Sequence, residues 1–493
     1  MKNIFKLATV AALATTLVLG GSCTSKFEEI NTDPDALETG SPTNMLAYVL
    51  RYTAAQHGAI DAVDEWAGYI TKIQYPDNYN YIPTNNTYGN KFLCNYGCQE
   101  QINDLLALTE SSAEGNKNIR WAARIWSEFL WLWTTDQFGD IPYSEANQVD
   151  EGLMTPVYDD QSTIYPSILA DLKTIADEMA TEDPGTEPIG DGDFLFGGDI
   201  TLWQKFCNSL RMRAAMRIVN VAPELAQSTI EEICQNPGAY PLLETNDENA
   251  YFYWQGSAPY FEPYYDNFRT RDEHGMSNIF VAHMTQMQDP RISSMMKPAV
   301  SDGQYRGYEN GALAAAPQID NISRIGAMYR EDPAGFTPFL KSCENYFIKA
   351  EAALRGWNVG TTAEAAYTEA VRLSMEENGV SDADMEAYLN GSGKWDGTFE
   401  RLYMEEWVAL FKENLEAWSL YRRTGYPQEI ITSGEYPGAF CVFGSAHNDV
   451  PFRMPYPNNE YLYNKENVEA AAANIVDNTW GEQMWWDTRT GVH

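Results

Sequence analysis

Trp121, Trp126, Trp131 and Trp133 all fall in one stretch, Ile119 to Ala146, and they constrain this chain more than any other feature. Ala122, Ile125, Trp126, Phe129, Leu132 and Trp133 recur at three- and four-residue spacing, so they share one face of a helix. Indoles at this density need other elements to pack against, which makes the stretch a central core helix. A sugar platform is the alternative for these rings. It is disfavoured because they lie on a helical stripe and not on an irregular loop. Gly139 can supply the left-handed residue that ends the helix, and Pro142 blocks its continuation.

The start of the chain reads as an export signal. Met1-Lys2 and Lys6 are basic, Leu7 to Leu19 is apolar and uncharged, and Gly20-Gly21-Ser22 are small residues before Cys23. Residues 1–22 are expected to be a cleaved lipoprotein signal peptide, with Cys23 lipidated. Gly20 departs mildly from the usual lipobox. No second apolar run of about twenty residues follows, so the mature protein is expected to be anchored to a membrane and not to span it.

A formal charge of -37 excludes nucleic acid as a partner, because its phosphates would be repelled. Hydrophobic residues at 44% and aromatics at 13% suffice for a large core. Besides Cys23, the cysteines are Cys94, Cys98, Cys207, Cys234, Cys343 and Cys441. So few in so long a chain do not make a disulfide scaffold, and buried thiols are expected.

Helical patterns are read at Asn44–Gly58, Asp61–Tyr75, Gln99–Glu110, Ser162–Met179, Ile200–Val219, Pro223–Gln235, Ser277–Met287, Cys343–Trp357, Ala363–Gly379, Ala383–Leu389 and Phe399–Thr424. Gln99–Glu110 is expected to pair with the central helix. Two stretches lack a helical period. Tyr75 to Tyr96 is rich in Asn, Pro and Tyr and reads as a long surface loop, and such loops often carry function. Asn246 to Arg271 contains Tyr251-Phe252-Tyr253-Trp254, a short-strand signal, followed by loop. The tail from Gly425 reads as mostly irregular. Ala363, Tyr367 and Ala370 have the small–aromatic–small spacing of a tetratricopeptide second helix. Phe347, Ala350 and Leu354 match the helix before, while Glu351 stands where a small residue is usual.

Several motifs, in order, carry a resemblance. They are Phe27 to Pro34 (FEEINTDP), Phe138 to Ala146 (FGDIPYSEA), Gly197-Gly198-Asp199 with Trp203, Phe206 and Asn208 to Arg213, and Asp289-Pro290-Arg291. Ala350-Glu351-Ala352, Trp418 with Tyr421 to Pro427 (YRRTGYP), Arg453 to Pro457 (RMPYP) and Trp485-Trp486-Asp487 complete the set. Each is weak alone, but together the chain resembles the SusD/RagB family of lipoproteins in Bacteroidetes glycan-uptake systems. Cys207 stands where that family usually has a small residue.

The resemblance implies a mainly α fold: a right-handed superhelix of four tetratricopeptide-like helical hairpins with a packed loop-rich lobe, residues 23–493 forming a single domain. It also implies an outer-membrane, lipid-anchored, surface-exposed position. The partner would be a SusC-like TonB-dependent transporter, to which the protein delivers an oligosaccharide. Some relatives import peptides instead, as lids of RagAB-like transporters. The family's motifs are packing and turn residues, so they do not identify the cargo.

Sugars present apolar C–H faces and many hydroxyls, so a binder needs exposed rings beside amides, carboxylates or arginine. The first loop offers Tyr75, Asp77, Asn78, Tyr79, Asn80, Tyr81 and Tyr88; the second offers Trp254, Gln255, Tyr260, Tyr264, Asp266 and Arg269. Trp395 is a further candidate. At least three members of the two loops are expected to line one shallow platform, against the alternative that the rings only pack the loops onto the helices.

No catalytic activity is expected. G-x-S-x-G and H-E-x-x-H are absent, and with 70 acidic residues an acid pair is uninformative about a glycosidase. Asp191-Gly192-Asp193 with Asp199 could offer oxygen ligands to calcium. Leu195 and Phe196, however, fall where an EF-hand needs a ligand and a Gly, so an acidic turn and no cofactor are expected.

Overall fold

The computed structural model describes residues 40–75, 83–312, 315–428 and 447–493. The leader motif Phe27 to Pro34, the signal segment, Cys23 and Cys441 lie outside these residues.

The longer helices of the first half of the chain pack in chain order, each on the next. Helix α1 (Pro42–His57) is followed by a single turn, α2 (Ala62–Trp66), and packs on α3 (Asn85–Leu108). Then α3 packs on α4 (Lys117–Phe138), α4 on α5 (Gln161–Thr181), α5 on α6 (Ile200–Arg217) and α6 on α7 (Pro223–Gln235). Further on, after the short helix α8 (Pro263–Phe268), come α9 (Ser342–Leu354), α10 (Ala363–Glu377), α11 (Phe399–Ala409) and α12 (Asn414–Thr424). Helices α9 and α10 form a closely packed hairpin, and α9 also packs on α6.

Strands among the described residues occur only as two-stranded antiparallel pairs. β1 (Ile70–Lys72) pairs with β3 (His274–Met276), and β2 (Ala250–Tyr253) pairs with β4 (Phe336–Leu340). Met296–Lys297 pairs with Arg324–Ile325. The fold is therefore mainly α, with irregular chain carried on the helices.

The four tryptophans of α4 are buried, as their spacing requires. Trp126 stacks on Phe129 at 4.7 Å and meets the edge of Phe339 on β4 at 4.8 Å. Trp121 donates its indole N–H to the Glu178 carboxylate at 2.9 Å. Gly139 closes the helix at φ 79°, ψ −124°, backbone that only glycine adopts without strain. In the α9–α10 hairpin, Phe347, Ala350, Tyr367 and Ala370 are fully buried, with Ala363 and Leu354 half-buried at its edges. Cys94, Cys98, Cys207, Cys234 and Cys343 are free thiols, and all but the half-buried Cys234 are buried.

Three expected elements differ. Asp61–Tyr75 is not one helix: after Trp66 the chain turns at Gly68 (φ 80°) into β1, whose partner strand lies far along the sequence. The loop from Tyr75 does not reach Tyr96, because Thr84 caps α3 by accepting from the Thr87 N–H and the helix begins at Asn85. Phe399–Thr424 is broken between α11 and α12. There Lys412 takes φ 76°, and its buried ammonium pairs with Glu262 at 3.0 Å and donates to the Tyr329 carbonyl. The tail also carries two short helices, Asn458–Tyr463 and Lys465–Ala471.

Motifs far apart in sequence interlock beside the C-terminus of α4. The Asp140 carboxylate accepts the Gln161 N–H, and the Asp159 carboxylate accepts the N–H groups of Tyr143 and Ser144. Met454 donates its N–H to the Gln137 carbonyl, and Tyr456 its hydroxyl to the Asp140 carbonyl. Trp485 donates its N–H to the side-chain oxygen of Gln161. Arg422 lies between the rings of Trp418 and Trp486.

Glu351, in its unusual position, is a buried hub. It accepts both nitrogens of the Arg423 fork at 2.7 and 2.8 Å, and also Arg355 and the Tyr403 hydroxyl. Close by, Glu406 is buried with one carboxylate oxygen lacking a hydrogen-bond partner. Burial pushes its pKa up to about 8 against the pull of Arg423, with Glu351 and Glu344 adding to the rise. The unfolded value is about 4.3. The group therefore favours folding fully below about pH 4, and that contribution is lost as pH rises through about 8. Glu406→Gln is expected to flatten the fall of melting temperature between about pH 4 and pH 8. A variant slope equal to that of the wild type would overturn this assignment.

Candidate functional site

Exposed rings gather at one place, where α1 meets the loop that follows β2. Tyr48 and Arg51 are one helical turn apart and share the outer side of α1, while Leu46, Val49, Leu50 and Thr53 face the core. Strand β2 adds rings from the other side. Tyr251 is buried, stacked on Phe336 at 4.5 Å, whereas Tyr253 is 64% exposed.

Trp254 is fixed by two hydrogen bonds, its backbone N–H to the Gly335 carbonyl and its indole N–H to the Thr337 hydroxyl at 3.0 Å. Gly256 then turns the chain at φ 72°, where an added Cβ would stand 2.9 Å from that of Ala334. The turn closes with the Tyr260 N–H donating to the Ser257 carbonyl at 2.7 Å, which leaves Tyr260 38% exposed.

These groups line three hollows. The first, about 230 Å³, is walled by Tyr48, Arg51, Phe194, Phe252, Tyr253, Trp254, Gln255 and Tyr260. The second, about 560 Å³, shares Arg51, Trp254 and Tyr260 and adds Phe261, Asp266 and Asn267. The third, about 320 Å³, shares Ile60 and Asn267 with the second and is polar, with Asp61, Glu65, Lys72, Thr84, Arg271, Glu273 and His274. The shared residues make one groove, apolar at one end and polar at the other. Burial, with Lys72 nearby, pushes His274 down to about 3, so its imidazole is neutral at pH 7. Ring faces and a guanidinium at the apolar end, with amides and charged groups toward the polar end, are the chemistry of a binding surface.

Among the expected site residues, Trp254 and Tyr260 line the same hollows, Tyr260 partly exposed and Trp254 largely buried. Asp77, Tyr79, Asn80 and Tyr81 lie outside the described residues; Pro83 and Thr84, just after them, line the polar hollow. Tyr88 is corrected: it sits on α3 and is buried. Tyr264 is also corrected. It is buried on α8, its hydroxyl held by the Asp64 carboxylate and by the Asn414 amide, so it packs the lobe and offers no face to a ligand. Arg269 is exposed but engaged with Asp266 at 2.6 Å and laid over the Phe261 ring. Trp395 packs on Tyr367 at 4.8 Å and lines none of the three hollows.

Tyr48, Arg51, Tyr253 and Phe194 are additional groove residues. The one available signal was a tyrosine and an arginine one turn apart on the solvated face of α1. The acidic turn containing Phe194 is tied by Asp193, whose carboxylate accepts the N–H groups of Leu195, Phe196 and Gly198 and the Trp203 indole. Asp199 caps α6. Among the described residues, no cluster of three or more His, Cys, Asp or Glu side chains is arranged to hold a metal ion.

A family model described as "Starch-binding associating with outer membrane" matches residues 34–457. A SusD homologue from Bacteroides uniformis is 24% identical with a TM-score of 0.78, the match covering 91% of this chain and 99% of that one. A chitin-binding SusD homologue from Flavobacterium johnsoniae is 24% identical with a TM-score of 0.74, covering 91% and 98%. A SusD-like protein from Bacteroides thetaiotaomicron is 25% identical with a TM-score of 0.75, covering 92% and 100%. No curated protein matches the chain. No helix among the described residues is long and apolar enough to cross a membrane.

Proposed function

The chain belongs to the SusD-like family, described as starch-binding and associating with the outer membrane, and from that premise we propose that it is a surface glycan-binding protein whose groove captures an oligosaccharide. One observation carries this reading: Tyr48, Tyr253, Trp254 and Tyr260 converge on a single groove that also presents Arg51, Gln255 and Asn267. Ring faces accept the C–H faces of sugars, while amides and guanidinium hydrogen-bond their hydroxyls. The chitin-binding relative supports the cargo class. In the same proposal, Cys23 carries the lipid anchor after removal of residues 1–22, and a SusC-like TonB-dependent transporter receives the bound glycan. The protein binds its cargo without cleaving it.

Calorimetric titration of residues 24–493 with plant, host and microbial oligosaccharides and with a peptide mixture tests this. Heat with one glycan class at micromolar to millimolar concentration, and no cleavage product, is the expected result. Heat from peptides alone would overturn the glycan reading in favour of peptide capture. Release of reducing ends would overturn the assignment as a pure binding protein.

A further inference from the structure

Resting on that reading of the groove, we propose that Arg51 makes it selective for saccharides that carry an anionic group, a sugar carboxylate or a sulfate ester.

The chain leaves almost no arginine uncompensated. Among the described residues, every other arginine has a carboxylate within ion-pair distance or, as with Arg422 and Arg453, donates to backbone carbonyls. Arg51 has neither. It is half-buried, 5.8 Å from the centre of the Tyr48 ring and 5.5 Å from that of Tyr260, and it borders both apolar hollows. Two rings hold the guanidinium in place through its contacts with their π systems. Among the described residues no acceptor engages its N–H groups, so the fork is open to a planar oxyanion.

The surroundings have the matching sign. Among the described residues, Asp266 is the one carboxylate lining the two apolar hollows, and Arg269 neutralises it at 2.6 Å. A ligand there meets one uncompensated cation and no uncompensated anion. The formal charge of -37 opposes an anionic ligand at long range, but salt screens exposed charges beyond about 8 Å at physiological ionic strength. A neutral sugar would leave the Arg51 charge unused. A basic ligand would be repelled by it.

Matched saccharide pairs test the proposal: oligogalacturonides against their methyl esters, uronate-containing against neutral xylo-oligosaccharides, and sulfated against desulfated oligosaccharides. Each pair is titrated into the wild type, Arg51→Gln and Arg51→Lys, with melting temperatures confirming that the variants are folded. The charged member of at least one pair is expected to bind about 10–100-fold tighter than its neutral counterpart. That preference should shrink with added salt, vanish in Arg51→Gln and survive in part in Arg51→Lys. Which pair responds distinguishes carboxylate from sulfate. Equal binding of charged and neutral members, or a preference that Arg51→Gln retains, overturns the proposal and leaves the saccharide reading standing. Binding of no saccharide, with peptides bound instead, overturns both.

Discussion

Replacing Tyr253 and Tyr260 together by alanine is expected to lower oligosaccharide affinity roughly 30–150-fold, at about 1–1.5 kcal/mol for each ring face lost. These two rings are the ones the groove can spare structurally. Tyr253 is 64% exposed, and its nearest rings, Tyr251 and Phe336, stand more than 6 Å away between centroids. Tyr260 is anchored by its backbone turn, and its ring adds a contact to the Arg51 guanidinium at 5.5 Å. Unfolding free energy should therefore change by no more than about 0.5 kcal/mol per site. Trp254→Ala should behave differently. It removes a buried ring and the hydrogen bond to Thr337, so binding and stability fall together. Titration with the glycan that the wild type binds, beside thermal melts of the three variants, separates these effects. Wild-type affinity in the folded double variant would remove the groove from consideration as the binding surface.

Arg422→Ala is expected to cost about 3–5 kcal/mol, the range for stripping a buried hydrogen-bonded cation and opening a cavity. Arg422 is fully buried, 3.4 Å from the centre of the Trp418 ring and 4.9 Å from that of Trp486. Its N–H groups donate to the carbonyls of Phe452 and Asp136 and to the Ser419 hydroxyl, each at 2.9 Å. Truncation leaves those acceptors without this donor. Arg422→Met restores much of the volume without the donors, so its loss should be intermediate. Urea titration of the two variants measures both costs. A loss below about 1 kcal/mol for Arg422→Ala would show that the packed motifs are not held together by this guanidinium.

The scaffold was legible because its signals are local and repeated. The α4 stripe and the α9–α10 spacing follow from one turn of helix determining where the next apolar residue must fall, and the start of α7 from Pro223, whose fixed φ and missing N–H suit a first helical position. Breaks were less legible. Nothing within Phe399–Thr424 announces that Lys412 will leave helical backbone, since its partners Glu262 and Tyr329 come from the loop-rich lobe. β1 was hidden in the same way, behind a pairing with His274–Met276.

The groove was half legible. Composition pointed to Trp254 and Tyr260, because a run of aromatic residues without helical period has to be either packing or platform. It could not divide Tyr260 from Tyr264, neighbours in sequence of which one faces solvent and the other meets Asp64.

What the sequence by itself determined is the helical scaffold and the motifs that mark the family, since both depend on spacings of a few residues. Only the tertiary structure decided which rings reach solvent together and that Arg51 stands uncompensated between two of them. Exposure and pairing depend on which distant segments arrive beside a residue, and no local period in the chain encodes that.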